Sequence, residues 1–427
     1  MALKQILSHS LIKVSAIYFS FGIINKAILF LLVPILTRYL SPEEYGAAAN
    51  FVTLISLIAI FAGLNIHGVV NVNYFKLEKA QFKLSVSNAF LVLLGSTSIV
   101  LVVLYAVKEL FANKLGVNEN WIIFAGIIAA SQFSTTINLK LWLSEEKASK
   151  YGIFEFYYAL FLVGAVAVFV ILFEMGLDGR LWSIAISTIL FSIFSFVLLY
   201  KRQLLSLRFH WPSIKDALLF GIPLIPHSVA IWAMSGMERF ILTFMVGLSA
   251  AGLYTVGYQL AAIVGIVIAS VNNAYLPYMM KKLNAPSESA KRGLVRNSYM
   301  VFVSFLLIAV FVSVLSIFIL PYIVGNQYKD SADFIFWISL GFAFNGMYLL
   351  VAKYILYEKK MYYLSLVTVT SAIIHALSCY LFINLFGPIG AAYSTALSYF
   401  VSFVLTWLLA HKVYPMPWLA CFAKSAS

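Results

Sequence analysis

LIKVSAIYFSFGIINKAILFLLVPIL, residues Leu11 to Leu36, carries two charges in 26 residues: Lys13 near its start and Lys26 past its middle. As an α-helix it would extend about 39 Å, more than the roughly 30 Å of a bilayer's hydrocarbon layer. It exceeds the ~7–15 residues of a signal-peptide core and offers no small-residue cleavage site. It therefore reads as a retained first spanning helix, preceded by an interfacial stretch over Met1 to Lys13. Similar runs recur along the whole chain. Twelve spans fall near 11–38, 46–70, 84–107, 120–143, 152–173, 181–200, 215–243, 251–280, 297–323, 332–356, 362–384 and 389–411. An even number places both termini on one side.

Composition agrees. Of 427 residues 63% are hydrophobic and 11% charged, against about 25% charged in soluble domains, which excludes a water-soluble globule. The runs lack the ten-residue alternation of an outer-membrane barrel strand, so backbone hydrogen bonds must close within helices. The expected fold class is an all-α integral membrane protein of the bacterial inner membrane. Cys379 and Cys421, one in a late span and one in the tail, are too few and too far apart for a disulfide framework or metal cluster, and read as packing residues.

The net charge of +13 would suggest nucleic-acid binding in a soluble protein. Here the bases cluster between the apolar runs, as topology determinants do, and no nucleic-acid module accompanies them. With the amino terminus in the cytoplasm, 22 of the 29 Lys and Arg fall in cytoplasmic segments. Five, Arg38, Lys108, Lys114, Arg180 and Lys329, fall outside, and Lys26 and Arg239 lie within helices. That asymmetry orients the protein with both termini cytoplasmic. No connection is long enough for a folded extramembrane domain, and no Gly-rich phosphate loop with its lysine is present, so function is expected among the helices without a cofactor.

One half of the chain weakly echoes the other. Leu40-Ser41 followed by Tyr45-Gly46 has a counterpart in Leu248-Ser249 followed by Ala251-Gly252-Leu253-Tyr254, and Phe21-Gly22-Ile23 in Phe220-Gly221-Ile222. Six helices plus six make a parallel repeat, with lobes expected at 1–205 and 206–427 around a central cavity.

The segment Val33-Pro34-Ile35-Leu36-Thr37-Arg38-Tyr39-Leu40-Ser41-Pro42-Glu43-Glu44-Tyr45-Gly46 closely resembles the opening signature of the polysaccharide-biosynthesis flippases, the Wzx-type proteins. Glu238-Arg239-Phe240, the Ala251–Tyr254 entry to the eighth span and Gly387 to Tyr393 are similar to other family features. The resemblance implies the multidrug/oligosaccharidyl-lipid/polysaccharide exporter superfold and alternating access. It implies a cargo, an undecaprenyl-pyrophosphate-linked O-antigen or capsule repeat unit moved from the cytoplasmic to the periplasmic leaflet. The polysaccharide polymerase and the chain-length regulator become candidate partners beside the lipid bilayer.

Such a cargo needs positive charge for its pyrophosphate and a polar route for its sugars. Lys26 sits mid-helix, where a lysine costs about 2.5–3.5 kcal/mol on insertion scales. An anion in a cavity would offset that cost, as would snorkelling or pairing with Glu155 or Glu238. Arg239 is the second intramembrane base, with a structural or gating role favoured over direct pyrophosphate contact, and Arg38, at the outer end of the first helix, is the third pyrophosphate candidate; anchoring is the plainer role for Arg38. Glu238 and Arg239 are helix neighbours, expected to reach different partners. Glu238 and Glu155, with Pro223, Pro226 and His227, are candidates for gating or coupling, because prolines permit kinks and histidine titrates near neutral pH. His375 shares the titration argument, with a hydrogen-bonded core position as the commoner role. Asn71, Asn73, Gln259, Asn272 and Asn273 supply amides to a sugar vestibule, or equally to bonds between helices. Multidrug export on the same superfold is the alternative. A membrane enzyme would need a catalytic constellation that the chain does not display, and the intramembrane bases argue against a third class, a passive assembly scaffold.

Overall fold

The computed structural model describes residues 17–18, 20–206, 208–284 and 287–418. The interfacial stretch Met1 to Lys13, the start of the first span, Cys421 and Lys424 lie outside the described residues.

Among the described residues twelve helices long and apolar enough to cross a membrane follow one another: α1 (Ser20–Tyr39), α2 (Pro42–Gly63, continued by His67–Lys76), α3 (Lys79–Leu115), α4 (Glu119–Ser144), α5 (Ala148–Leu172), α6 (Gly176–Lys201), α7 (Trp211–Met245), α8 (Leu248–Asn284), α9 (Glu288–Ile323), α10 (Ala332–Tyr357), α11 (Tyr362–Phe386) and α12 (Gly390–Val413). The last two share one apolar stretch of 52 residues, Tyr362–Val413. As a single helix it would reach about 78 Å, far beyond any bilayer. Gly387 breaks it with φ +71°, and Pro388 follows in a 3₁₀ turn. The reversal is so tight that a Cβ on Gly390 would stand 2.1 Å from the Phe382 carbonyl oxygen.

Local chemistry explains how the quoted signature becomes structure. Ser41 caps α2: its hydroxyl accepts from the Glu44 amide (3.2 Å), and its own amide donates to Glu44 Oε2 (2.8 Å). Pro42 occupies the first helical position, where no amide hydrogen is missed. The other Glu44 oxygen accepts from the Leu177 amide at the start of α6 (3.4 Å). Leu40 and Tyr45 are buried beside this cap.

The chain divides into two compact units, Met1–Val229 and Ala230–Ser427. In the first, α4 packs against α2, α3 and α6, α2 also packs on α3, and α5 packs on α6. In the second, α10 packs against α8, α9 and α12, α8 also packs on α9, and α11 packs on α12. Adding six to each label of the first set gives the second, so the two six-helix sets are pseudo-symmetric in their packing. The opening segment of α7, Trp211–Gly221, packs on α2 and α3, which carries the first unit past the start of that helix.

Candidate functional site

The second unit holds a buried polar cluster centred on one carboxylate. Glu238 on α7 is fully buried. Its Oε1 accepts from the Tyr254 hydroxyl of α8 (3.2 Å), and its Oε2 lies 3.4 Å from His375 Nε2 of α11. His375 Nδ1 meets the Ser398 and Ser394 hydroxyls of α12, at 2.9 and 3.1 Å. The Tyr254 hydroxyl is also 3.0 Å from Thr395 Oγ1. Arg239 donates to the Ser235 carbonyl oxygen (2.9 Å), lies 3.6 Å from Glu238 Oε1, and sets its guanidinium 4.6 Å from the Tyr258 ring centroid.

One carboxylate thus joins four helices. A buried charge costs several kcal/mol unless a partner and hydrogen bonds compensate it, and here both are present. Contrary to the helical-wheel expectation, Glu238 and Arg239 do meet: both side chains are long enough to bend toward α8, where Tyr254 and Tyr258 receive them. The neighbouring His375 and the hydroxyls give a proton two alternative acceptors within one hydrogen-bonded chain.

The first unit spends its polar groups on broken backbone instead. The run read as one helix over 46–70 is interrupted after Gly63, where Leu64 (φ +45°) and Asn65 (φ +55°) are left-handed. For leucine this conformation costs roughly 1–2 kcal/mol and must be held by its surroundings. α7 is interrupted against it: Trp211–Gly221 ends, Ile222–Leu224 forms a 3₁₀ turn carrying Pro223, and the helix resumes at Ile225 with Pro226 in its first turn. Gly221 is pressed so closely on this break that a Cβ there would stand 2.0 Å from the Leu64 carbonyl oxygen. Ser228 donates to Asn65 Oδ1 (3.1 Å), and Asn73 donates to Asp216 Oδ2 (3.0 Å) and Ser85 Oγ (3.1 Å). A cavity of about 160 Å³ lies at the break, with Asn65, His67, Gln132 and Thr136 in its wall.

The remaining candidates are dispersed. Lys26 is exposed on α1 with no hydrogen-bond or ion-pair partner among the described residues, so neither Glu155 nor Glu238 neutralises it. Arg38 is exposed in the last turn of α1, and Glu155 is half-buried on α5. His227 is half-buried and its Nδ1 is buried without a hydrogen bond. Of the amides, Asn71 Oδ1 accepts from Ser144 (2.6 Å), Asn272 donates to the Gly346 carbonyl oxygen (3.2 Å), Gln259 is half-buried and Asn273 is exposed. Lys353, counted by sequence among the cytoplasmic bases, lies within α10 and donates to the Asn272 carbonyl oxygen (2.7 Å). Tyr258, Ser394, Thr395 and Ser398 do not enter the sequence reading, and Tyr254 enters it only as part of the Ala251–Tyr254 motif, not as a site residue. Ser394 and Ser398 stand four residues apart in an apolar helix, a spacing that marks one polar face. Among the described residues no group of three or more His, Cys, Asp or Glu is placed to hold a metal ion.

Comparison with known proteins adds a family and a fold. A family model described as polysaccharide biosynthesis protein matches residues 11–282. A Haemophilus influenzae protein named for the Lsg locus is 25% identical over 377 residues, 86% of this chain and 90% of that protein. An uncharacterized membrane protein of the same organism is 24% identical over 381 residues, 86% of this chain and 89% of its own length. Among solved structures, the inward-facing conformation of a multidrug resistance MATE family transporter of the MOP superfamily superposes with a TM-score of 0.66 at 15% identity. That superposition covers 91% of this chain and 94% of the transporter. A Vibrio cholerae MATE transporter gives 0.54 at 15% identity, covering 93% and 97%.

Proposed function

The chain belongs to the polysaccharide biosynthesis protein family, and on that premise we propose that it is a flippase of the bacterial inner membrane. It carries an undecaprenyl-pyrophosphate-linked O-antigen or capsule repeat unit from the cytoplasmic to the periplasmic leaflet by alternating access. Both termini lie in the cytoplasm, and the lobes that alternate are residues 1–205 and 206–427. The twelve-helix fold shared with transporters supports this reading, as does the basic asymmetry of the loops.

The observation that carries it is Lys26. Lys26 has no hydrogen-bond or ion-pair partner among the described residues and stands six or more residues from either end of the described span, where an ammonium is costly unless water or an anion reaches it. A pyrophosphate supplies that anion during transport. Arg38, in the last turn of the same helix, receives the phosphate at the far side. Gln259 and Asn273 hydrogen-bond sugar hydroxyls, while Asn71, Asn73 and Asn272 serve bonds between helices. Glu238, Arg239 and His375 form the coupling element: transfer of a proton onto Glu238 would cancel its attraction for Arg239 and loosen α7 from α8, α11 and α12. The interruption at Pro223 and Pro226 lets α7 bend as this happens, with His227 beside it, and Glu155 titrates on α5.

Charge substitution tests the assignment. Lys26→Arg retains partial polysaccharide export in cells, whereas Lys26→Ala loses it at equal membrane abundance. Full export by Lys26→Ala would remove Lys26 from the mechanism. Efflux of cationic drugs by the unaltered protein, with no effect on glycolipid, would favour multidrug export.

A further inference from the structure

The first unit carries a second concavity far larger than the notch at the α2 break. A groove of about 610 Å³ runs between α5 and α6 and is lined by Tyr157, Phe161, Gly164, Val168, Phe169 and Phe191 among other apolar residues. Two features show that it is built into the fold. Gly164 forms an open stretch of its floor, where a Cβ would meet nothing within 4 Å. Above it α5 changes to a π-helix over Ala167–Leu172, closed by the Phe173 amide on the Val168 carbonyl oxygen (3.0 Å). A π-turn widens a helix and is frequent at functional sites. The aromatic wall is pre-packed: the Phe191 ring lies 5.3 Å from Phe154, 5.4 Å from Tyr158 and 6.0 Å from Phe161, centroid to centroid.

The occupant follows from what lies along the same face. Lys150, Tyr157 and Gly164 are spaced by seven residues, so they fall on one stripe of α5, Lys150 about 10 Å before the groove begins. Lys150 is exposed and has no partner among the described residues, whereas its neighbour Lys147 is held by Glu145 (2.8 Å). Glu155 lies about 140° round the helix from Lys150 and leaves the stripe free of negative charge. A cation at the helix end followed by an apolar trough is complementary to an anionic headgroup followed by a hydrocarbon chain. At about 30 Å³ for each water-sized group the groove takes roughly 20 such groups, the volume of several isoprene units.

We propose that this groove holds part of the isoprenoid chain of a polyprenyl phosphate lipid, with Lys150 beside its phosphate. Naming that lipid rests on the flippase reading, and the site would keep the carrier's tail against the first unit while the sugars cross elsewhere.

The test uses the full-length protein in liposomes of phosphatidylethanolamine and phosphatidylglycerol, with a sugar-free polyprenyl phosphate bearing a diazirine on its chain. Cross-links mapped by mass spectrometry should concentrate on residues 157–169 and 186–191, and unlabelled polyprenyl phosphate should compete them away. Gly164→Trp, which has open space for its side chain, should lower labelling there at least fivefold, with Val168→Trp as an independent filler. Lys150→Ala should lower it about threefold and Lys150→Arg much less. Labelling spread evenly over the protein, equal competition by added phosphatidylglycerol, or insensitivity to both fillers would overturn the proposal. Since the probe carries no sugar and need not be transported, groove labelling in a protein that fails to flip glycolipid would count against the flippase reading alone. Flipping without groove labelling would count against this site alone.

Discussion

The two units pack their helices in the same order and use their polar residues in opposite ways. In the first, Asn65, Ser228, Asn73 and Asp216 hold together a place where α2 and the opening of α7 are both interrupted. In the second, α8 continues unbroken from Leu248 to Asn284, and polar side chains converge on the carboxylate of Glu238. A repeated fold therefore tolerates two kinds of cost in one bilayer: left-handed backbone at a break, and a buried charge within a helix. In each unit the cost is offset by side chains from three or more neighbouring segments. Under the proposed function the first arrangement is the bend and the second the coupling element.

The comparison can be broken most forcefully at Glu238. Glu238→Leu leaves Arg239 and His375 without their carboxylate and should cost about 3–5 kcal/mol, the usual penalty for orphaning a buried charge. Thermal unfolding of the purified protein in nanodiscs would read it. Glu238→Gln, which can still accept from Tyr254, should lose less stability. A Glu238→Leu protein as stable as its parent would mean that the cluster does not organise the second unit.

In the first unit the strongest perturbation is Gly221→Ala. Its methyl group would collide with the Leu64 backbone and should destabilise by about 1–3 kcal/mol. Gly95→Ala is the control, since a Cβ there meets nothing within 4 Å; within a helix that change should be neutral or slightly stabilising. Equal effects at the two glycines would show that the α2–α7 junction is not tightly packed. Smallest is Ser41→Ala, which removes the cap of α2 and should cost about 1 kcal/mol. Glu44→Gln, able to keep part of the capping box, should cost less.

Much of this architecture is legible in the residues because spanning helices are local: twenty apolar residues bounded by charge or glycine specify one wherever they occur. The α2 break is different. Asn65 tolerates the left-handed conformation, but Leu64 does not, and no proline marks the turn; its packing partners Gly221 and Ser228 lie more than 150 residues away in the chain. The reversal at Gly387-Pro388, by contrast, carries its own signal and separates two helices that hydropathy alone would merge. The polar cluster was half visible. Glu238, Arg239 and His375 stand out in apolar spans, but their meeting depends on which faces of α7, α8 and α11 pack, and Tyr254 reads as an ordinary aromatic until its hydroxyl is seen between Glu238 and Thr395. Lys353 misled for the same reason: close to a helix end it counts as a cytoplasmic base, yet α10 brings it onto the backbone of α8.

The central claim is directional movement of a glycolipid, and the most direct measurement is the leaflet in which the lipid-linked oligosaccharide resides when this protein alone is depleted. A membrane-impermeant sugar-labelling reagent on intact spheroplasts reads it. The account predicts accumulation on the cytoplasmic side, out of the reagent's reach, reversed when the protein is restored. Undiminished labelling at the periplasmic face, in cells with no second flippase, would contradict it.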